Sequence, residues 1–281
     1  MAIYKGNKKV VAVYKGSTPI NKIYKGVTLV FQKSGGGGST HLFEGTATGN
    51  FNLKINGHKN IPITPDADGK WFYDTDEKIT SLVLAFYNQS AVTSVDLSNL
   101  DLTGISTKMM FSESSNIASI KFNNTKSMKL VDVINMFSGC HSLVSVDVSS
   151  FDTSSLTSIE NLFAYCSSLV SVDLSSFDTS NISNARGLFN ECSSLVSLDL
   201  SSVNTSNLQD AGFLFFKCTS LETLDLSNFD MSKATSYTNM FFYCDKLTHI
   251  KCKQAFKDWC ASNKDTIALT NYSRINWEIV G

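Results

Sequence analysis

A repeat of 26 residues constrains the fold of this chain more than any other feature. The same cysteine position marks each repeat, without insertion or deletion, at Cys140, Cys166, Cys192, Cys218 and Cys244. A fixed period of this length is typical of solenoids, in which each repeat forms one coil. Because one coil cannot bury its apolar side alone, neighbouring coils must stack to form a continuous core.

The second clean copy shows what one coil should look like. Leu169, Val172 and Leu174 have the spacing of a half-buried strand, and residues 178–181 are turn and N-cap residues. Apolar side chains then recur at helical spacing, at Ile182, Ala185, Leu188, Phe189 and Cys192. The pattern predicts an α/β solenoid in which each coil is a strand, a turn and a short helix. Its strands form a parallel sheet on one side, and its helices cover the other.

The repeat extends beyond the clean copies. A phenylalanine column continues in both directions, at Phe86, Phe111, Phe137, Phe163, Phe189, Phe215 and Phe241. The strand positions predict about seven coils over residues 81–252. Residues 41–80 alternate in hydropathy and predict a β-rich N-terminal cap, while residues 253–281 predict a cap made of one helix and a final strand.

These residues resemble a known family. The pattern L-x-S-L-D-L-S-x-F-D-T-S, followed by F-x-x-C, is similar to BspA-type leucine-rich repeats, which occur in bacterial surface proteins and in phages of gut bacteria. The resemblance covers Ile79 to Cys252. Residues 2–6, with the repeated Tyr-Lys-Gly, resemble the N-terminal segment of virion structural and fibre proteins of tailed phages of gut bacteria, and residues 253–260 resemble the cap that accompanies such repeats. The resemblance implies adhesion or recognition rather than catalysis.

The first 33 residues predict a small β anchor. They contain three β-like runs, Val10 to Tyr14, Ile20 to Tyr24 and Val27 to Phe31, which bury too little surface to be stable alone. We expect them to dock onto other virion proteins or onto further copies of the chain, with a trimer favoured; packing on the repeat domain is the alternative. The candidate docking side chains are Tyr4, Tyr14, Tyr24 and Phe31. Residues 34–40, SGGGGST, predict a flexible linker of natural or engineered origin.

Composition excludes several classes of function. A net charge of −1 provides no basic surface for nucleic acid. No run of 18 apolar residues predicts a membrane span, and the N-terminus lacks the apolar core of a secretory signal. We therefore expect assembly in a bacterial host cytoplasm and location in the virion, with the bacterial cell surface as the alternative.

The cysteine column predicts a row of small buried thiols rather than disulfides or a zinc site. No C-x-x-C pair is present, and a cytoplasmic history disfavours disulfides. We expect a serine at Cys192 to cost about 1–3 kcal/mol, more than an alanine, because its hydroxyl would enter an apolar stripe without an assured partner.

The solvent side of the strands, here called the strand face, is the candidate binding surface. Its two polar columns are Ser145, Ser171, Ser197 and Thr223, and Asp147, Asp173, Asp199 and Asp225. Aspartates about 4.8 Å apart should repel by about 1–3 kcal/mol, so stability alone would not select them. The row is either a solvated acidic stripe or a recognition surface for sugar hydroxyls or a basic partner; a bound divalent cation is a third reading.

Nothing in the sequence predicts catalysis, a cofactor or a metal site. The four histidines are scattered, and the aspartates recur in every coil as architecture would. Asp66 and Asp68 lack the full spacing of a calcium loop and predict a turn. The sequence therefore predicts a non-enzymatic virion structural or adhesion protein of a tailed phage that displays its repeats for host-surface recognition. A bacterial cell-surface or secreted adhesin is the alternative.

Overall fold

The computed structural model describes residues 42–56, 59–75, 78–123 and 127–281, together with the backbone of four short strands in the first 41 residues. The repeats form a β-solenoid of about seven coils with mostly parallel pairing. The strands are β1 Ile3–Lys5, β2 Lys8–Val10, β3 Tyr14–Lys15, β4 Thr18–Pro19, β5 Phe43–Ala47, β6 Phe51–Ile55, β7 Lys59–Ile63, β8 Lys70–Tyr73, β9 Val92–Asp96, β10 Ser119–Lys121, β11 Met128–Lys129, β12 Phe151–Asp152, β13 Ser197–Asp199, β14 Thr223–Leu226, β15 His249–Lys253 and β16 Asn276–Val280. One α-helix, α1 Gln254–Asn263, lies in the described part of the chain.

The strand side of the solenoid has the register that the repeat predicts. β13, β14 and β15 pair in parallel, so that Leu198 lies opposite Leu224, and Leu224 lies opposite Ile250. The backbone departs from regular strand geometry at residues 143–148 and 169–174, where the amide of Val170 still donates to the carbonyl of Val144 at 3.1 Å. A step of one coil therefore places equivalent residues side by side.

The predicted helices of the coils are wrong. In the second clean copy, residues 185–192 form successive β-turns. Alternate backbone amides donate to carbonyls outside their own coil. The amides of Ala185, Gly187 and Phe189 donate to carbonyls of the next coil at 2.9–3.0 Å. The amides between them close turns three residues back, as when Leu188 donates to Ala185. In a helix, all these backbone amides would donate to carbonyls of their own coil. On this turn side, alternate amides form hydrogen bonds between neighbouring coils.

Left-handed residues explain why the turn side does not become helical. Gly187 has φ 62° and Glu191 has φ 59°, and the same two positions are left-handed in the neighbouring coils. A left-handed residue every fourth position interrupts a right-handed helix. Asparagine and glycine tolerate this conformation best, and they occupy the first position at Asn135, Asn161, Gly187 and Asn239. The apolar positions of the predicted helix are nonetheless all buried.

The phenylalanine column forms a stack through the core. Successive rings from Phe86 to Phe241 lie 5.3–6.0 Å apart between centroids and within 17° of parallel. All seven rings are buried. The strict period forces equivalent rings into register, and their offset contact adds to the burial of their apolar area.

One coil interrupts a second aromatic column. The position at the corner after the strand is a buried phenylalanine in three coils, at Phe151, Phe177 and Phe229. In the coil between the last two, the same position is Val203. An apolar cavity of about 30 Å³ lies beside Val203. The smaller side chain leaves a gap that the fixed spacing of the coils prevents from closing.

Strands flank the repeats at both ends. β5 pairs antiparallel with β8 on one side and with β9 on the other, while β6 and β7 pair antiparallel with each other. The amides of Lys54 and Asn56 in this region donate to the first coil, at Ala85 and Ser81. At the other end, α1 buries Phe256 and Cys260, and β16 adds in parallel to β15.

The described backbone of the first 33 residues forms two antiparallel pairs, β1 with β2 and β3 with β4. Tyr4 lies in β1 and Tyr14 in β3. The predicted runs from Ile20 to Tyr24 and from Val27 to Phe31, the docking candidates Tyr24 and Phe31, and the linker at 34–40 lie outside the described residues. No helix that the structure describes has the length and hydropathy needed to cross a bilayer.

Candidate functional site: the strand face

The predicted strand-face residues lie where the repeat placed them. Seven of the eight side chains are exposed, and the eighth, Asp225, is half-buried. Ser197 pairs with Thr223, and Asp199 pairs with Asp225, so the serine and aspartate columns run across neighbouring strands. The structure therefore brings the predicted residues together on one surface.

Each aspartate of the row closes a turn of the backbone, which was not predicted from the sequence. Its Oδ1 accepts the amide of the residue two positions later, at 2.8–3.0 Å, in an Asx turn that ends the strand. The amide donors are those of Ser149, Ser175, Ser201 and Ser227. Stability therefore favours a short side chain with an acceptor oxygen at these positions, because it caps the turn, although the turn does not account for the like charges of the row.

The same turn recurs at two further corners of the coil. In the second clean copy, Asp178 Oδ1 accepts the amide of Ser180 at 3.0 Å, and Asn184 Oδ1 accepts the amide of Arg186 at 2.9 Å. The side-chain and backbone hydrogen bonds of Ser175 lower the pKa of Asp173, so this carboxylate stays charged. Asparagine stands at some of these corners, which shows that the turn requires the acceptor oxygen and not the charge.

Lysines flank the row: Lys251 pairs with its last member, and Lys121 pairs with Asp96, which precedes the row. Lys121 Nζ lies 3.1 Å from Asp96 Oδ2, and Lys251 Nζ lies 3.0 Å from Asp225 Oδ2. At Asp225, burial raises the pKa, but the hydrogen bonds of Ser227 and Lys251 together lower it. Within the described structure, Oδ2 of Asp173 and of Asp199 has no protein partner. The centre of the strand face therefore presents carboxylate oxygens that the fold does not use.

An exposed row of valines, missed from the sequence, lies beside this centre. Val144, Val170 and Val196 are 43–50% exposed, and they belong to the same three coils as Asp147, Asp173 and Asp199. In the next coil the equivalent residue is Glu222. The signal was present in the repeat, because the residue after the first leucine of each strand points outward. These coils thus offer an apolar row and an acidic row together.

The turn side carries an aromatic cluster that the sequence analysis also missed. Phe213, Phe216 and Phe242 are half-buried, and Tyr243 is 50% exposed. The Phe216 and Phe242 rings lie 5.3 Å apart, and the guanidinium of Arg186 lies 4.6 Å above the Phe213 ring. The departure of Phe213 from a column of asparagine and glycine was the available signal. Cations already cover part of these rings.

The cysteine column is buried, as predicted, but its thiols are not without partners. Cys192 Sγ donates to the carbonyl of Phe163, 29 residues earlier, at 3.1 Å, and the other four cysteines of the column make the equivalent bond at 3.0–3.3 Å. In the coil before Cys140, Ser114 occupies this position, and its hydroxyl donates to the carbonyl of Phe86. The expectation that a serine would lack a partner here is therefore wrong. All seven cysteines are free thiols.

The described residues assemble no metal site. No three His, Cys, Asp or Glu side chains within that part of the chain converge as metal ligands would. Asp66 Oδ1 accepts the amides of Asp68 and Lys70 at 2.9 Å, which closes the turn before β8. The aspartates of this loop therefore serve the turn that the sequence predicted.

Comparison with known proteins assigns the repeats to a family. No curated protein matches the chain. A family model described as "Mycoplasma protein of unknown function, DUF285" matches residues 80–173 and 167–268. The two matches span the coils and together cover about two thirds of the 281 residues. The chain therefore belongs to the DUF285 family, a membership compatible with the BspA-type repeats that the sequence resembles.

Proposed function

We propose that this chain is a non-enzymatic adhesion protein that binds its partner through the strand face. One observation carries the proposal: three adjacent coils expose a valine row, and beside it lie two carboxylates, Asp173 and Asp199, whose Oδ2 atoms have no partner in the described structure. Apolar and charged groups side by side suit recognition of a host-surface protein or glycan. A repeat solenoid of this family is compatible with a surface or adhesion protein.

We further propose that residues 1–33 attach the chain to other proteins of a tailed-phage virion, with Tyr4, Tyr14, Tyr24 and Phe31 as docking side chains. The support is the repeated Tyr-Lys-Gly and its resemblance to virion proteins. A trimer is the favoured assembly, and the virion is the proposed location. Labelling purified particles and bacterial cell surfaces with one antibody against the chain distinguishes this location from the alternative.

The alternative is a bacterial cell-surface adhesin with the same binding surface. It is favoured by one specific finding, that the matching family is described from Mycoplasma, a bacterium. Antibody label on cells that produce the chain, with none on particles, would establish the adhesin and refute the virion.

The binding proposal is tested by the double variant Asp173→Asn and Asp199→Asn. Asparagine keeps the Oδ1 acceptor of each Asx turn, so the corners should stay intact while two charges disappear. We expect the variant to keep its melting temperature and to lose attachment to bacterial cells, measured by flow cytometry.

A matched control removes the same charge elsewhere. Asp178→Asn with Asp230→Asn changes two exposed aspartates that also cap turns, but at the next corner of the coil. This control should attach like the unmodified chain. Equal attachment by both double variants would refute the strand face as the binding surface.

A further inference from the structure

The charge of the chain is divided unevenly along its length. Residues 1–33 contain seven lysines and no aspartate, glutamate or arginine. Of the 24 basic and 25 acidic residues in the chain, 17 basic and 25 acidic residues remain after residue 33, a net charge of −8. A segment of charge +7 and a domain of charge −8 on one chain attract each other over the length of a short linker.

The centre of the strand face is the part of the domain best suited to receive this segment. The two lysines that flank the row, Lys121 and Lys251, already bond Asp96, which precedes the row, and Asp225, its last member. The Oδ2 atoms of Asp173 and Asp199 can therefore pair with lysines of residues 1–33. The valine row beside them lies on a sheet face that nothing in the described structure covers. The segment brings both complements, because Lys8 and Lys9 are followed by Val-Val-Ala-Val.

The position of the linker makes this contact geometrically feasible. β5 joins the same sheet as the first coils, with Glu44 opposite Asp96, so the chain enters the domain beside the aspartate row. Four strand spacings of about 4.8 Å separate β5 from Asp173, about 19 Å in total. The seven residues 34–40 span about 15 Å on average and at most about 24 Å. Residues 1–33 can therefore lie over the centre of the face.

We propose that the lysine-rich segment 1–33 docks on the strand face of its own chain. Its lysines pair with Asp173 and Asp199, and its apolar residues cover the valine row. A linker this short holds the segment at an effective concentration in the millimolar range, which favours the same chain over a second copy. The segment competes with a partner of the face, so it weakens attachment of the chain without preventing it. If residues 1–33 bind another protein, as the proposed function requires, this competition ends; that consequence alone rests on the proposed function.

The test measures how fast the lysines of residues 1–33 are acetylated in the full-length protein. A short pulse of an amine-acetylating reagent at low ionic strength is followed by peptide mass spectrometry. We expect Asp173→Asn with Asp199→Asn to raise these rates by about 2- to 30-fold, the range for losing two exposed charge pairs. Salt at 1 M, where the Debye length is about 3 Å, should raise them in the unmodified chain as well.

Two outcomes would overturn the proposal. The control Asp178→Asn with Asp230→Asn removes the same net charge and should leave the rates unchanged; an equal rise in both variants would mean that only overall charge matters. Protection that disappears on dilution would assign the face to the segment of a second copy. Because the readout is lysine protection and not attachment, its failure is separable from failure of the adhesion proposal.

Discussion

Substitution of Cys192 tests the bonding between coils at a single buried atom. The thiol is inaccessible, and its bond to the carbonyl of Phe163 is one of two that this oxygen accepts, the other being the turn amide of Cys166. Cys192→Ala removes a buried sulfur at about 0.5–1.5 kcal/mol, by analogy with the loss of one methylene, and a weak hydrogen bond at about 0.5 kcal/mol. The expected loss of unfolding free energy is about 1–2 kcal/mol.

Cys192→Ser gives up the sulfur but keeps a donor facing the same carbonyl. Ser114 already makes this bond in the coil where serine replaces cysteine. We therefore expect serine to cost no more than alanine, the reverse of the order expected from the sequence. Urea denaturation of the two variants, compared at equal m-values, measures the difference.

The reverse substitution, Ser114→Cys, tests the same hydrogen bond. If hydroxyl and thiol are interchangeable donors in this column, the change should alter the unfolding free energy by less than about 1 kcal/mol. A serine at Cys192 that costs at least about 1 kcal/mol more than alanine would contradict the assigned bond.

Three further predictions concern packing, turns and pH. Val203→Ile should fill the cavity of about 30 Å³ and stabilise the chain by about 0.8 kcal/mol, whereas Val148→Ile in a filled part of the core should destabilise it; thermal melting measures both. Asp173→Ala should cost about 0.5 kcal/mol in the same assay through the lost Asx turn, and a cost equal to that of Asp173→Asn would argue against the turn. Burial raises the pKa of Cys166 to about 12 from a usual value near 9, so its contribution to stability is complete below pH 9 and falls as pH rises toward 12. The urea midpoint should therefore decline over that range, and less steeply in Cys166→Ala.

The repeat was sufficient to predict the register of the strands and the buried columns. A strict 26-residue period leaves one way to align Leu198 with Leu224, and the structure has that alignment. The phenylalanine and cysteine columns were predictable for the same reason, since identical positions in stacked coils share one environment.

The path of the backbone between the buried positions was not predictable from apolar periodicity. Successive β-turns bury residues at nearly the same spacing as a helix, so Ala185, Leu188 and Phe189 fit either structure. The decisive signal was the column of asparagine and glycine that contains Gly187, which a helix would disfavour and a left-handed turn requires. The Asx turns were not predicted because the column of aspartates was interpreted as a row of charges. The Asp-x-Ser spacing nonetheless supports a turn.

Binding through the strand face is tested most directly by comparing the two exposed sides of the solenoid. Val170 at the centre of the strand face and Tyr243 on the turn side are 47% and 50% exposed, so each should accept an arginine without disturbing the core. Attachment of Val170→Arg and Tyr243→Arg to bacterial cells should be measured beside the unmodified chain. We expect Val170→Arg to lose attachment and Tyr243→Arg to retain it; the opposite result would place the binding surface on the aromatic cluster of the turn side.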